Sequence, residues 1–209
     1  TNRWRIYSTV IKRVEKSTCF CDKKGSEKMG KYIVLLRGVN ISGKNKISMN
    51  ELKEELLKNN YTDVLTFLNS GNIILKSNKS EKDISDDVNK IIMNKFNIDI
   101  PVYVIKLEEL IDVLNNNPSW WGINNKDIYD NIIFIMSPTK VEEVIDVVGE
   151  PSENIDRIKV YKNVIFWPFD LKNYRKSNWW IKIASTSITN KITIRTGNTI
   201  KKLIKKVNE

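Results

Sequence analysis

Tyr32 to Met49 reads YIVLLRGVNISGKNKISM. Tyr32 to Val39 is a mostly apolar run, the pattern of a strand covered on both faces. It breaks at Arg37-Gly38 into a polar loop and re-enters an apolar-periodic segment at Ser48-Met49-Asn50-Glu51. That tetrad is a capping box, and Met49, Leu52, Leu56 and Leu57 give the helix after it one apolar face.

Continuing outward, Val64 to Leu68 and Ile73 to Leu75 flank Asn69-Ser70-Gly71-Asn72, a hairpin turn whose Gly and Asn tolerate positive φ. Ile84, Val88, Ile91, Ile92 and Phe96 form a second helical stripe, and Pro101 to Ile105 a last strand with Pro at its start. The order is βαββαβ, and it returns later. Asn131 to Met136 is a strand; Ser137-Pro138 reads as an N-cap and first helical residue before the stripe Val141, Val144, Ile145 and Val148. Ile158 to Tyr161 and Val164 to Phe169 make a hairpin at Lys162-Asn163. Tyr174 to Ala184 is a helix, Ile192 to Arg195 a strand and Asn198 to Val207 a terminal helix.

The expected class is therefore α+β, with two ferredoxin-like plaits in tandem. Residues 29–106 form the first and residues 131–209 the second with an extra terminal helix. Residues 107–130 join them through a helix at Leu107 to Asn117 and a boundary loop.

Residues 1–28 carry 8 basic and 3 acidic side chains, so they hold half of the formal charge of +10. They also hold both cysteines, Cys19 and Cys21, and precede the first methionine, Met29. We expect this segment to be upstream sequence read in frame, with a disordered basic arm as the alternative. Mass spectrometry of the native N-terminus distinguishes the two. The remaining body is only mildly basic, which a solvated lysine surface explains as well as a phosphate-binding face does.

The absence of histidine removes a Ser-His-Asp triad, a His base and zinc-hydrolase motifs. Cys-Phe-Cys fits no common zinc knuckle, so neither a metal nor a cofactor is expected. The sequence has neither the run of roughly 18 apolar residues that spans a membrane nor a signal-peptide core, so a cytoplasmic location is expected. The acid pairs Glu54-Glu55, Asp86-Asp87, Glu108-Glu109 and Glu142-Glu143 read as solvated helix faces.

Gly38 to Asn45 reads G-x-x-x-x-G-K-N, a P-loop except that Asn45 stands where Ser or Thr would hold Mg²⁺. A P-loop starts its helix at the Gly-Lys, whereas the capping box delays this one to Ser48. The hydrolytic reading therefore falls away. An anion site remains, with Arg37 and Lys44 supplying charge and Asn40 and Asn45 directional hydrogen bonds, beside the plain alternative of a structural connection. Asn69, Ser70 and Asn72 are secondary candidates, because the hairpin turn and the loop can lie at opposite ends of a sheet. Arg195-Thr196-Gly197-Asn198-Thr199 reads first as a helix cap at Thr196 or Asn198, and second as an anion cradle. The lysine face of the terminal helix reads as solvated surface, open to nucleic acid or an acidic partner. Of Trp179 and Trp180, adjacent on one helix, one is expected in the core. The Lys/Arg-Gly-Phe/Tyr signature of RNA-binding plaits is missing, which argues against that use of the fold.

LLRGVNISGKNKISM, FLNSGNIIL, WPFDLKNYRKSNWW and ITIRTGNTIKKL together resemble the bacterial domain-of-unknown-function 1697 family, from Met29 to about Glu209. The resemblance implies two alpha-beta plait subdomains and no particular activity. It places motif positions on Arg37, Gly38, Asn40, Gly43, Lys44 and Asn45, on Ser70, Gly71 and Asn72, on Ser177, and on Arg195, Asn198 and Thr199. Gly197 departs from the Trp or Ala common there.

The functional expectation is binding of an anionic ligand, a phosphorylated small molecule, nucleotide or nucleic-acid backbone, through Arg37, Lys44 and Arg195. Two alternatives stand beside it. One is an enzyme on an anionic substrate with Ser177 or a carboxylate as reacting group; the other is a scaffold whose plaits pair with another protein.

Overall fold

The computed structural model describes residues 29–41, 43–123 and 125–207. The expected leader and its Cys-Phe-Cys lie outside the described residues. The first half contains β1 (Gly30–Leu36), α1 (Met49–Lys58), β2 (Thr62–Phe67), β3 (Asn72–Ser77), α2 (Glu81–Phe96), β4 (Val102–Lys106) and α3 (Leu107–Asn115). The second contains β5 (Ile128–Ile135), α4 (Val141–Val148), β6 (Lys159–Tyr161), β7 (Val164–Asp170), α5 (Asn178–Ser185), β8 (Ile192–Thr196) and α6 (Gly197–Val207). The sheets are antiparallel throughout, in the orders β2-β3-β1-β4 and β6-β7-β5-β8. The fold is mixed α+β, built from two tandem four-stranded sheets.

Alternation along the central strands explains how the halves stack. Val34, Leu36, Ile73 and Leu75 face α1 and α2, forming one core. Ile133, Ile135, Ile165 and Trp167 face α4 and α5, forming another. The opposite faces meet each other: Ile33, Leu35, Ile74 and Ile105 share a middle core with Ile132, Phe134, Val164 and Phe166. Tyr103 on β4 crosses that junction to Phe134, ring centroids 5.2 Å apart. α3 and α6 close the middle core with Leu110, Ile111, Leu203 and Ile204. The double-sided cover read from Tyr32 to Val39 is thus helices on one side and the other sheet on the second.

Several local readings change. Leu57 is exposed, because the face of α1 that packs ends with Leu56. Ser137-Pro138 lies before the helix and not in it; α4 starts at Val141, where Lys140 N–H donates to the Glu143 carboxylate. Tyr174 to Ala184 is broken, since Ser177 takes an extended backbone and its hydroxyl caps α5 by accepting from Trp180 N–H. β5 begins at Ile128, ahead of the strand read at Asn131, because it pairs with β7 as far as Asp170. In the β2–β3 turn positive φ falls on Leu68 and Gly71, not on Asn72. Trp179 is buried and Trp180 exposed, as their adjacency on one helix requires.

Candidate functional site

β1 ends beside the β2–β3 turn, because β1 and β3 run antiparallel and Leu35 pairs with Asn72. The polar loop and the turn therefore lie together at one end of the sheet, not at opposite ends. Leu36 N–H donates to Gly71 C=O at 2.8 Å, and Asn40 Nδ2 donates to Asn69 C=O at 2.8 Å. Asn40 also donates to Ile47 C=O and accepts from Ile47 N–H, so its amide is wholly used in closing the loop. Asn45 donates its Nδ2 to Gly38 C=O at 3.0 Å. Gly71 has φ +75°, and a Cβ there would lie 2.6 Å from Leu36 Cβ and from Val39 Cγ2. Only glycine fits where the turn presses on β1.

Arg195 reaches this end from the other half. In β8 it pairs with Ile132, whose side chain lies in the middle core, so alternation turns the guanidinium toward the first sheet. Nε donates to Asn72 Oδ1 at 2.7 Å, one terminal nitrogen to Thr193 Oγ1 and Ile194 C=O, and the other to Leu36 C=O at 2.7 Å and Ser70 C=O at 3.1 Å. All five N–H donors of the guanidinium are engaged. Burial pushes its pKa down to about 10, which leaves it charged at neutral pH. Arg37 answers in the opposite direction, its Nε donating to Ile192 C=O at 3.1 Å and a terminal nitrogen to Thr189 Oγ1 at 3.2 Å. Burial lowers its pKa as well. The two arginines bind the halves to each other.

Asn72 is fully buried, donating to Phe67 C=O and to Ser70 Oγ while accepting from Arg195. Ser177 is buried too. Its hydroxyl donates to Asp156 at 2.6 Å, and the same carboxylate accepts from Trp167 Nε1 and Ser152 N–H. Asp156 escaped the sequence reading, since a lone acid before a short strand carries no signal of burial. Thr199 N–H donates to Thr196 Oγ1, so Thr196 caps α6, and Asn198 faces solvent. Asn198 lines a small polar hollow with Asp130, whose pKa is raised by burial against the opposing pull of Gly122 N–H and Lys201. Trp121 occupies the room above Gly197, where a Cβ would meet its ring at 2.7 Å.

The structure thus gathers Arg37, Asn40, Ser70, Asn72 and Arg195 into one braced end, with Lys44 and Asn45 on the exposed part of the loop. Ser177 sits apart, in the second half's outer core. A hollow of about 510 Å³ opens beside the loop, lined by Asn40, Gly43, Lys46, Ile47, Ser48 and the first turn of α1. A groove of about 560 Å³ runs between α2 and the β5–α4 connection, past Pro101, Met136 and Lys191, and none of the candidate ligand-binding residues lines it. Among the described residues, no group of three His, Cys, Asp or Glu side chains is placed to hold a metal.

These features define an α+β protein of two stacked antiparallel sheets locked at one end by reciprocal arginines. Residues 29–166 match the family described as Protein of unknown function (DUF1697), and the chain belongs to that family. It is similar to the structure of conserved bacterial protein SP0830 from Streptococcus pneumoniae, with a TM-score of 0.76 and 27% identity over 85% of this chain and 98% of that one. A comparison with curated proteins finds no match.

Proposed function

We propose that the protein binds a phosphate-bearing small molecule in the hollow at the N-terminal end of α1. One observation carries the reading: this is where free helix N–H groups and unpaired cations meet. The N–H groups of Met49 and Asn50, in the first turn of α1, have no intrahelical acceptor. Lys46 lines the hollow, and Lys44 stands in the adjoining loop; neither side chain makes an ion pair among the described residues. Arg37 and Arg195, the charges favoured from sequence, support the loop from behind. Inorganic phosphate, nucleotides and sugar phosphates are the probes for a thermal-shift screen followed by calorimetry. At least one is expected to raise the melting temperature, and Lys44→Ala with Lys46→Ala to abolish that rise. A double variant that retains every shift would return the loop to a structural connection.

The strand orders support a ferredoxin-like plait for each half, with α3 closing the first unit as α6 closes the second. The division then falls between Asn115 and Ile128, within the expected joining segment. No described helix is long and apolar enough to cross a membrane, which supports a cytoplasmic site of action.

A further inference from the structure

Four aromatic rings gather at one end of the outer face of the second sheet, where α5 and the residues before it meet β5 and β7. Tyr129 on β5 pairs in register with Phe169 on β7. Phe169 lies 4.7 Å from Trp180 and 5.3 Å from Tyr174 between ring centroids, and Tyr174 meets Trp180 edge-on at 5.5 Å. Trp167, fully buried, supports Phe169 from below at 5.9 Å. The outermost rings remain open, with Tyr129 46% and Trp180 39% exposed. They are also held in place: Trp180 N–H is fixed by the Ser177 hydroxyl, and Ser152 Oγ accepts from Asn178 N–H and donates to Lys176 C=O.

Charge indicates what such a shelf receives. Of the ten lysines and arginines between Leu171 and Val207, a stretch without a carboxylate, Lys172, Arg175, Lys176 and Lys182 belong to the segments that carry the rings, beside the acids Asp127 and Asp170; Arg195 lies in the junction between the sheets and four lysines lie on α6, which closes the middle core. Arg175 packs over Tyr174 at 5.7 Å, Lys176 is exposed beside it, and Lys182 follows Trp180 on α5. Lys172 is paired to Asp127 at 3.0 Å. Protein-binding surfaces are depleted in lysine around their aromatic centres. Surfaces for single-stranded nucleic acid interleave the two, because every base has a face to stack and a phosphate to neutralise.

We infer that this shelf binds single-stranded nucleic acid, with Trp180 and Tyr129 stacking bases and Arg175 and Lys176 holding the backbone. It lies in the other half from the hollow at α1 and does not depend on it. The test is fluorescence anisotropy of the full chain against labelled oligothymidylate and oligouridylate of about 15 nucleotides. Saturable binding is expected, weakened roughly tenfold by Trp180→Ala and by Tyr129→Ala, and largely kept by Trp180→Phe. Arg175→Ala with Lys176→Ala should flatten the dependence of log affinity on log salt by about one to two units. Lys44→Ala with Lys46→Ala should leave oligonucleotide binding unchanged. The inference is overturned by absent saturable binding at low salt, or by full affinity in both aromatic-to-Ala variants. Sedimentation showing self-association lost in Trp180→Ala, without oligonucleotide binding, overturns it in favour of a protein interface.

Discussion

The two halves repeat each other down to single hydrogen bonds, then diverge at one loop. At the end of β1, Leu36 N–H donates to Gly71 C=O of the hairpin turn and Arg37 N–H to Pro101 C=O before β4. At the end of β5, Ile135 N–H donates to Asn163 C=O of the hairpin turn and Met136 N–H to Lys191 C=O before β8. Arg37 thus stands where the second half has Met136. The connection to the first helix then runs from Arg37 to Ser48 in one half and only from Met136 to Lys140 in the other. The duplicated frame gives both halves a scaffold, and only the first carries a long polar loop on it. Arg195 braces that loop's base from within the junction, whereas the hairpin turn of the second half is tied to the first by Asp112 on α3, which pairs with Lys162 at 2.6 Å and accepts from Tyr161 Oη at 2.9 Å.

Removing that brace should have the largest effect. Arg195→Met leaves the Asn72 amide oxygen and the Leu36 and Ser70 carbonyls without their donor in a buried junction. A loss of about 4 kcal/mol in denaturant unfolding is expected. Arg195→Lys should recover only part of it, since an ammonium cannot reproduce the planar fork. If Arg195→Met unfolded at the wild-type denaturant concentration, the lock between halves would be a crystal-clear geometry without energetic weight.

Next comes Asp156. It holds the segment before β6 to the N-terminus of α5, accepting from Ser177, Trp167 and Ser152. Asp156→Ala strands all three donors and should cost about 3 kcal/mol. Gly71→Ala tests the repeat directly. The methyl group would strike Leu36 and Val39 in a left-handed backbone, for an expected loss of about 2–3 kcal/mol. Asn163→Ala, at the matching hydrogen bond of the second half, should shift stability by about 0.5 kcal/mol or less. Equal losses at the two positions would mean that the first turn is not under special constraint.

Much of this frame is legible in the sequence. Apolar periodicity locates strands and helices because burial acts on every second or every third and fourth residue. The capping box at Ser48 likewise separates the loop from a P-loop before any coordinates are seen. Side-chain destinations are less legible. Arg37 and Arg195 look like ligand-binding charges in one dimension, but alternation sends both into the junction between sheets, and their partners are carbonyls more than a hundred residues away in sequence. Ser177 carries the same lesson, since a hydroxyl read as a reacting group is a buried cap donating to Asp156. The charge contrast around Leu171 is visible in the chain, yet only the ring cluster gives it a place to act.

A last comparison concerns how each half ties the segment before its second strand to its second helix. The second half does this with buried Asp156, and the first with Asp87 near the surface. Asp87 accepts from Lys79 Nζ at 2.6 Å and from Tyr61 Oη at 3.0 Å. The Lys79 ammonium, helped by the Tyr61 hydroxyl, holds the Asp87 carboxyl below the usual value of 3.8. A carboxylate whose folded pKa is depressed binds fewer protons folded than unfolded, so its contribution is complete above the unfolded value. It is lost as pH falls through the folded one. Because the group is partly solvated, Asp87→Asn should cost about 1 kcal/mol or less at neutral pH. The gap between wild type and Asp87→Asn should then close as the pH falls below about 4 in urea titrations at stepped pH. A gap that stayed constant to low pH would assign the effect to the hydrogen bond from Tyr61 rather than to charge.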